Sequence, residues 1–493
     1  MSQAFAKNEA ALAESLGQNG LGSRLQSARI GVWTATDSAV ASGNLLARAL
    51  GDLHGRFWQQ VDVFGPLAPP FIEAARSAAA SGAQRIDARQ GWNPPYDAVV
   101  VIGRGFPEAA GPTVQIGAAG WDVTTGRAAQ LSDDRNPVGP FAAAAIAASE
   151  TFKTVFADAL GDRGIRIPVE YRWSVWDFGQ NGECPSVQPI HLPDVHVFGV
   201  GAVTHAMLWP LLRWPAEVSG RLHLVDHDAY GESNGQRYPG MQAGDLGGSK
   251  VAVMASRLRA QHPGLEVVEH ATNLNHFFGA ECSDFRVALA VVGVDSKEDR
   301  RQLALKLPRR VVNMWTDGPH VGAARHGFED GWPCLCCVYP EDVTAPFDET
   351  GQIVNEMGLP PVRVRELLMS GAGLGDQDLS AIRQRYGIAF RDDLIGKPLR
   401  SVRQAICATA NIGLPTTGET ISVPLPFASA LAGTGGLVEL LRELWSVRAE
   451  PSRWQLRVFH YPTAGNLYPT GRSTSCYLCS DPLVLPLIRE KYV

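Results

Sequence analysis

No stretch of this 493-residue sequence approaches the roughly 20 uninterrupted apolar residues of a bilayer-spanning helix, so no membrane partner is expected. A concentrated basic surface is also missing. Lys and Arg number 44 against 50 Asp and Glu, a net charge of −6, and this balance argues against nucleic acid as a partner. Cysteine is scarce: eight residues in so long a chain exclude a disulfide framework. The N-terminal MSQAFAKNEAALAESLG reads as a polar amphipathic helix without the apolar core of a signal peptide, so a cytoplasmic location is expected. What is present, 45% hydrophobic and 19% charged residues, suits a soluble globular protein too long for one core.

The chain opens with an α/β pattern. Ala28–Ala35 (ARIGVWTA) and Tyr96–Gly103 (YDAVVVIG) read as buried parallel strands, with a helical stretch between them and an Ala-rich helix from Pro140. No phosphate-gripping glycine loop follows the first strand. A second unit begins near Asp194. Here VHVFGVG, RLHLVDHD, LEVVEH, VALAVVGVD and RRVVNMW are strands alternating with helices, one from Ser249 and one from Lys297, which predicts a doubly wound parallel sheet. From about Glu341 to Val402 the pattern breaks into two short helical stretches, VRVRELLMSG and DQDLSAIRQRYG. The helix PLPFASALAGTGGLVELLRELW and the strand RWQLRVFHY then resume it. No internal repeat is visible. The predicted divisions are an α/β domain over 1–190, a nucleotide-binding part over 191–340, a helical insertion over 341–420 and the remainder over 421–493.

Gly199 and Gly201, between a strand and a helix, can aim backbone N–H groups and a helix dipole at phosphates. Thr204 stands where a third glycine would ease helix–strand packing, so a looser loop is expected. Asp226 closes the next strand, the place for a carboxylate on ribose hydroxyls. A dinucleotide site would need little more. The sequence instead adds Asp228, Asn234, Arg237 and Lys250 within two dozen residues, and Arg and Lys neutralise charge on a triphosphate as a bond forms at its α-phosphate. Asp295, ending a later strand, is placed to bind Mg²⁺ (magnesium) between phosphates.

Two C-x-x-C hooks, Cys334/Cys337 and Cys476/Cys479, suit a closed tetrahedral zinc (Zn²⁺) site; four packed thiols are the alternative. Cys336 lies between ligands and is read as a bystander, and Cys184 and Cys282 as structural. His205, His223 and His227 flank the nucleotide elements, where structural roles are expected.

The strings G-V-G, V-D-H-D, S-N-G-Q-R, G-G-S-K at Gly247–Lys250, and G-V-D-S ahead of Arg300 and Arg301 resemble, in order and spacing, the ThiF/MoeB and ubiquitin-activating enzyme superfamily. The departures are Thr204 for glycine and Gly235 for the usual leucine. The resemblance implies two Rossmann-like α/β domains, an inactive N-terminal copy closed by the helix Asn136–Lys153 and an active adenylation domain with a helical catalytic-cysteine insertion. It further implies ATP and Mg²⁺ as cofactors, ribose on Asp226, phosphates on Asn234, Arg237 and Lys250, and magnesium on Asp295. Cys407, in A-I-C-A-T-A-N, resembles the thiol that attacks an acyl-adenylate, a structural cysteine being the alternative. The implied partners are a ubiquitin-like protein, whose C-terminal glycine is adenylated and held as a thioester, and a conjugating enzyme that receives it. With fourteen residues after Cys479, no further ubiquitin-like fold that recruits that enzyme is expected. The layout resembles activating enzymes of bacterial ubiquitin-like conjugation operons, including antiphage ones. A homodimer stays open. The rival readings are a sulfur-carrier adenylyltransferase of MoeB or ThiF type, a non-catalytic scaffold, and a dinucleotide oxidoreductase.

Overall fold

The β-branched runs read from the sequence become strands of two sheets. The structure is a computed structural model describing all residues except 1, 19, 106–110, 181, 283, 329–330, 341–352, 355–356, 387–393, 400, 404–423, 448–451 and 493. It divides into two units. Met1–Leu274, Asp284–Tyr339 and Ser422–Val493 form the larger; Asn275–Ser283 and Pro340–Ile421 form the smaller.

The first sheet of the larger unit holds β1 (Arg29–Thr34), β2 (Gln60–Phe64), β3 (Asp87–Gln90), β4 (Ala98–Ile102), β5 (Thr113–Ala119), β6 (Asp122–Thr125) and β7 (Tyr171–Ser174). Their order is β3-β2-β1-β4-β5-β6-β7; the first five are parallel, and β6 and β7 pair antiparallel. The second sheet holds β8 (Ile190–Phe198), β9 (Val218–Val225), β10 (Leu265–His270), β11 (Leu289–Val292), β12 (Arg310–Asp317), β13 (His320–Gly327), β14 (Ser452–Arg457) and β15 (Leu467–Pro469). Its order, β10-β9-β8-β11-β12-β13-β14-β15, repeats that of the first sheet and adds one edge strand.

The helices repeat as well. Ala41–Gly55 and Ala202–Leu211 each follow the first strand of their sheet, Ala68–Ser81 and Lys250–Gln261 the second, and Val138–Val155 and Pro426–Leu444 the β5–β6 and β12–β13 hairpins. The sequence reading found no repeat because this architecture is specified by hydrophobic pattern, which many residue identities satisfy. Residues 98–102 (AVVVI) and 289–292 (LAVV) are buried throughout, as strands covered on both faces require.

One hydrophobic core runs through both halves. The helix Val138–Val155 is buried along nearly its whole length, with Phe141 stacked on Trp209 at 4.6 Å and Phe152 on Phe459 at 5.7 Å. In the buried helix Pro426–Leu444, Gly433 faces Val203, Ala206 and Met207, where a Cβ would come within 2.5 Å of backbone. Close helix contact there outweighs the roughly 1 kcal/mol helix penalty of glycine. Beyond the sequence reading lie β2, β3, β5–β7, β13 and β15 and the helix Ala68–Ser81. Several of these strands span only three to five residues, too few for a clear alternation.

The smaller unit is helical where described. Its helices Pro361–Ser370 and Asp376–Tyr386 are tied by Arg363, whose Nε and Nη2 donate to Asp378 at 3.0 and 2.9 Å. Val364, Leu367, Leu379 and Ile382 contribute to its own core. Cys407 lies outside the described residues.

Candidate active site

The site is built at the carboxyl ends of β8, β9 and β11. Gly199, directly after β8, has φ +85°, and a Cβ there would press to 2.9 Å on the carbonyl oxygen of Gly293 beyond β11. Only glycine fits. Asp226, after β9, ties the loop down: its Oδ2 accepts from Val200 N at 2.6 Å and its Oδ1 from Asp228 N at 2.8 Å. Gly201 then begins the helix Ala202–Leu211, whose first N–H groups face the crevice end of the sheet. Thr204 corrects the expectation of a loosened loop. Its buried Oγ1 donates to Gly199 O at 2.6 Å, and Gly293 opposite supplies the space that a third glycine would otherwise give.

The segment after β9 folds back over this loop. Asn234 Oδ1 accepts from Gly231 N at 2.8 Å, which leaves its amide NH₂ to act as a donor. Lys250, at the start of its helix and almost fully buried, donates from Nζ to Asp228 Oδ2 at 2.8 Å. Burial works against its charged form, but the Asp226 and Asp228 carboxylates outweigh this and hold its pKa well above the usual lysine range. Between Lys250 and Arg237 lies Tyr238, with both cations 5.6 Å from its ring centre. Burial raises the pKa of its phenol, which senses the charges of Lys250, Arg237, Asp295 and Asp226 and so lies among all four. Tyr238 is a site residue that the sequence reading passed over. Its one signal was its place directly after Arg237.

Arg237 has an Nη1 that is buried without a hydrogen-bond partner. A cationic donor in that state is expensive unless an anion satisfies it. Asp295 stands exposed at the crevice rim, two residues beyond Gly293. Arg300 and Arg301 turn elsewhere: Arg300 is buried against Asn313 Oδ1 at 3.0 Å and Met314 O at 3.0 Å, and Arg301 pairs with Glu298.

His205 is fully enclosed, bonded to Tyr230 Oη at 2.7 Å, and burial drops its pKa to about 3. It is a neutral structural side chain. His223 sits between Asp194 Oδ1 at 3.0 Å and His270 Nε2 at 2.9 Å, with its ring stacked on His196 at 4.1 Å and 5°. His223 thus links Asp194 to His270 in a hydrogen-bond chain, and the ligand atoms of Asp194, His196 and His223 lie within 4.8 Å of one another. His227 Nε2 lies 3.5 Å from Asp228 Oδ1.

The same edge of the first sheet is built differently. The turn after β1 is a short 3-10 segment, Thr36–Ser38, closed by Ser38 Oγ donating to Ala35 O at 2.6 Å. Where β9 runs into Asp226, β2 runs into Gly65 and Pro66.

A ThiF family model matches residues 178–307, which span β8 through the helix Lys297–Leu305. The chain is also 31% identical over 409 residues to Uncharacterized protein y4jF of Sinorhizobium fredii (strain NBRC 101917 / NGR234), covering 80% of this chain and 77% of that one. The chain belongs to the ThiF family. Solved structures similar to this ThiF-family chain include E. coli MccB with MccA-N7isoASN, at TM-score 0.36 and 12% identity over 75% of this chain and 98% of MccB. E. coli MccB with ATP stands at TM-score 0.36 and 11% identity, over the same shares.

In this ThiF-family chain the four hook cysteines converge. Cys334 Sγ lies 3.7 Å from Cys476 Sγ and 4.0 Å from Cys337 Sγ, and Cys337 Sγ lies 3.3 Å from Cys479 Sγ. Zinc–sulfur bonds of about 2.3 Å in a tetrahedron place sulfurs about 3.8 Å apart, so the set fits a zinc ion. Cys336, buried and approached by Tyr477 Oη at 3.5 Å, is outside this set of four. Cys184 bonds Ser174 Oγ at 3.2 Å and Cys282 is partly buried.

Proposed function

We propose that this protein uses Mg-ATP to adenylate the C-terminal glycine of a ubiquitin-like protein and then holds it as a thioester on Cys407 for a conjugating enzyme. The observation that carries the adenylation step is the buried, unsatisfied Nη1 of Arg237, set beside a charged Lys250 over a glycine loop and helix start. That is a donor set for an oligophosphate. A carboxylate oxygen of the partner attacks the α-phosphorus, the bond to the β-phosphate breaks, and pyrophosphate leaves. Arg237, Lys250 and the Asn234 amide stabilise charge on the phosphates, and Tyr238 adds a neutral hydroxyl. Asp226 accepts from ribose, and Asp228 keeps Lys250 in place. Asp295 would hold Mg²⁺, which when bound neutralises phosphate charge. The Cys407 thiolate then attacks the acyl carbon and expels AMP. Zinc in Cys334, Cys337, Cys476 and Cys479 would be structural.

The role of Cys407 rests on sequence resemblance. The test mixes the protein with Mg-ATP and ubiquitin-like proteins encoded near it, then runs non-reducing gels with wild type and Cys407→Ala. A thiol-sensitive adduct absent from the variant supports the full reading. Pyrophosphate without an adduct leaves adenylation alone, as in the sulfur-carrier reading, and no pyrophosphate with any partner refutes the proposal.

A further inference from the structure

The segment that carries Asn234, Arg237 and Tyr238 is held by the other half of the larger unit. Arg56, at the end of the helix Ala41–Gly55, is completely buried. Its guanidinium makes five hydrogen bonds. Nη1 donates to Gly235 O at 2.7 Å and Ser81 Oγ at 3.1 Å, Nη2 to Met241 O at 3.2 Å and Asp52 Oδ1 at 2.8 Å, and Nε to Asp52 Oδ2 at 3.3 Å. A guanidinium has five N–H donors, so this one is saturated. Asp52 in turn accepts from Gly240 N at 3.2 Å. The turn containing Arg237 is therefore gripped on both sides, at Gly235 and at Gly240–Met241. Backbone contact reinforces the grip, since Gly235 packs directly on Ser81 and Gly82. The N-terminal helix adds a further tie, Gln3 N to Glu232 Oε1 at 2.8 Å.

A buried ion pair is a poor source of stability, because desolvation cancels most of its attraction, and apolar side chains could fill the same volume. What it does supply is direction. Two carbonyls six residues apart along the loop are fixed by one planar fork, which sets the loop's register against the rest of the unit. Arg237 lies between those anchor points and ends in the unsatisfied Nη1.

We propose that Arg56 is a positioning residue for phosphate binding. On this reading the first half, whose own strand ends lack the glycine loop and the Asp226 carboxylate, serves as the template that aims Arg237. The inference rests on the adenylation reading.

The test is a double-mutant cycle on the full chain with Mg-ATP alone as the probe, read as affinity by calorimetry. Arg237→Ala is expected to weaken Mg-ATP about 30-fold, as loss of a charge-assisted contact does. Arg56→Lys keeps the charge for Asp52 but lacks the fork, and is expected to weaken binding about 10-fold. If Arg56 acts through Arg237, the double variant binds no worse than Arg237→Ala, whereas independent effects multiply to about 300-fold. Arg56→Met with Asp52→Leu removes the pair without stranding a buried charge and is expected to lose the same affinity while melting near wild type. Full affinity in either Arg56 variant, or multiplied losses in the cycle, overturns the positioning role and leaves the adenylation reading intact. Wild type that fails to bind Mg-ATP sinks the adenylation reading and this inference with it.

Discussion

Gly235 occupies the place where the resembling family usually carries leucine, and the structure predicts that leucine is not tolerated there. A Cβ built on Gly235 meets Gly82 N and Cα at 2.5 Å and Ser81 C at 2.6 Å. These are backbone atoms of the other half, held by the helix Ala68–Ser81, so relief requires the halves to part by about an ångström. Overpacking of a dense core costs about 1–3 kcal/mol, and rigid neighbours place this site at the upper end. The same displacement stretches the 2.7 Å bond from Arg56 to Gly235 O, a charge-assisted bond of roughly 1.5–3 kcal/mol. Gly235→Leu should therefore lose about 3–5 kcal/mol. At roughly 2 °C per kcal/mol for a unit of this size, its melting temperature should fall by about 6–10 °C. The control is Gly201→Ala, where φ is −87° and the nearest atoms to a Cβ lie at 3.7 and 3.8 Å, an ordinary contact. It should lose less than about 1 kcal/mol. Differential scanning fluorimetry of both variants decides the matter. If Gly235→Leu melts with wild type, the backbones do not meet at Gly82, and the reasoning about the brace fails.

Replacing Lys250 by Met should slow pyrophosphate release about 100-fold, the scale of losing one charged group at a developing phosphate charge; an unchanged rate in a partner-supplemented assay would remove Lys250 from the mechanism. Burial holds His54 and His205 at a pKa of about 3 and His196 and His326 at about 4, against 6.5 for the unburied side chain. The unfolded chain therefore binds protons that the folded chain refuses, and stability is full above pH 6.5 and falls as the pH drops toward 3–4. Each histidine contributes roughly 1–2 kcal/mol of this loss by pH 5, so urea midpoints that stay flat from pH 7 to pH 5 would contradict the burial. One zinc per chain, measured by elemental analysis, should be lost in Cys334→Ser and Cys479→Ser but kept in Cys336→Ser. Retention in the first two would reassign the ligands.

Much of the site was legible because its parts are local. A glycine after a β-branched run, an aspartate closing the next strand and a lysine opening a helix are set by a few neighbouring residues, and Gly199, Asp226 and Lys250 stand where that reading put them. The short strands β5, β6 and β7 were not legible. They are stabilised by pairing in a sheet whose other members lie far away in sequence, and four to seven residues carry little pattern of their own. Thr204 was misjudged because its hydroxyl partner, Gly199 O, and the space at Gly293 come from a turn and from a strand about ninety residues on.

By itself, then, the sequence determined which side chains stand at the strand ends and helix starts of the candidate site and their order along the chain, since strand ends and helix starts are short-range events. The tertiary structure alone decided what holds them. It brought Cys334 and Cys476, 142 residues apart, to 3.7 Å. It also laid Arg56 against Gly235 across 179 residues of chain. Such contacts depend on closing long loops around a common core, and loop-closure entropy leaves no trace in local composition.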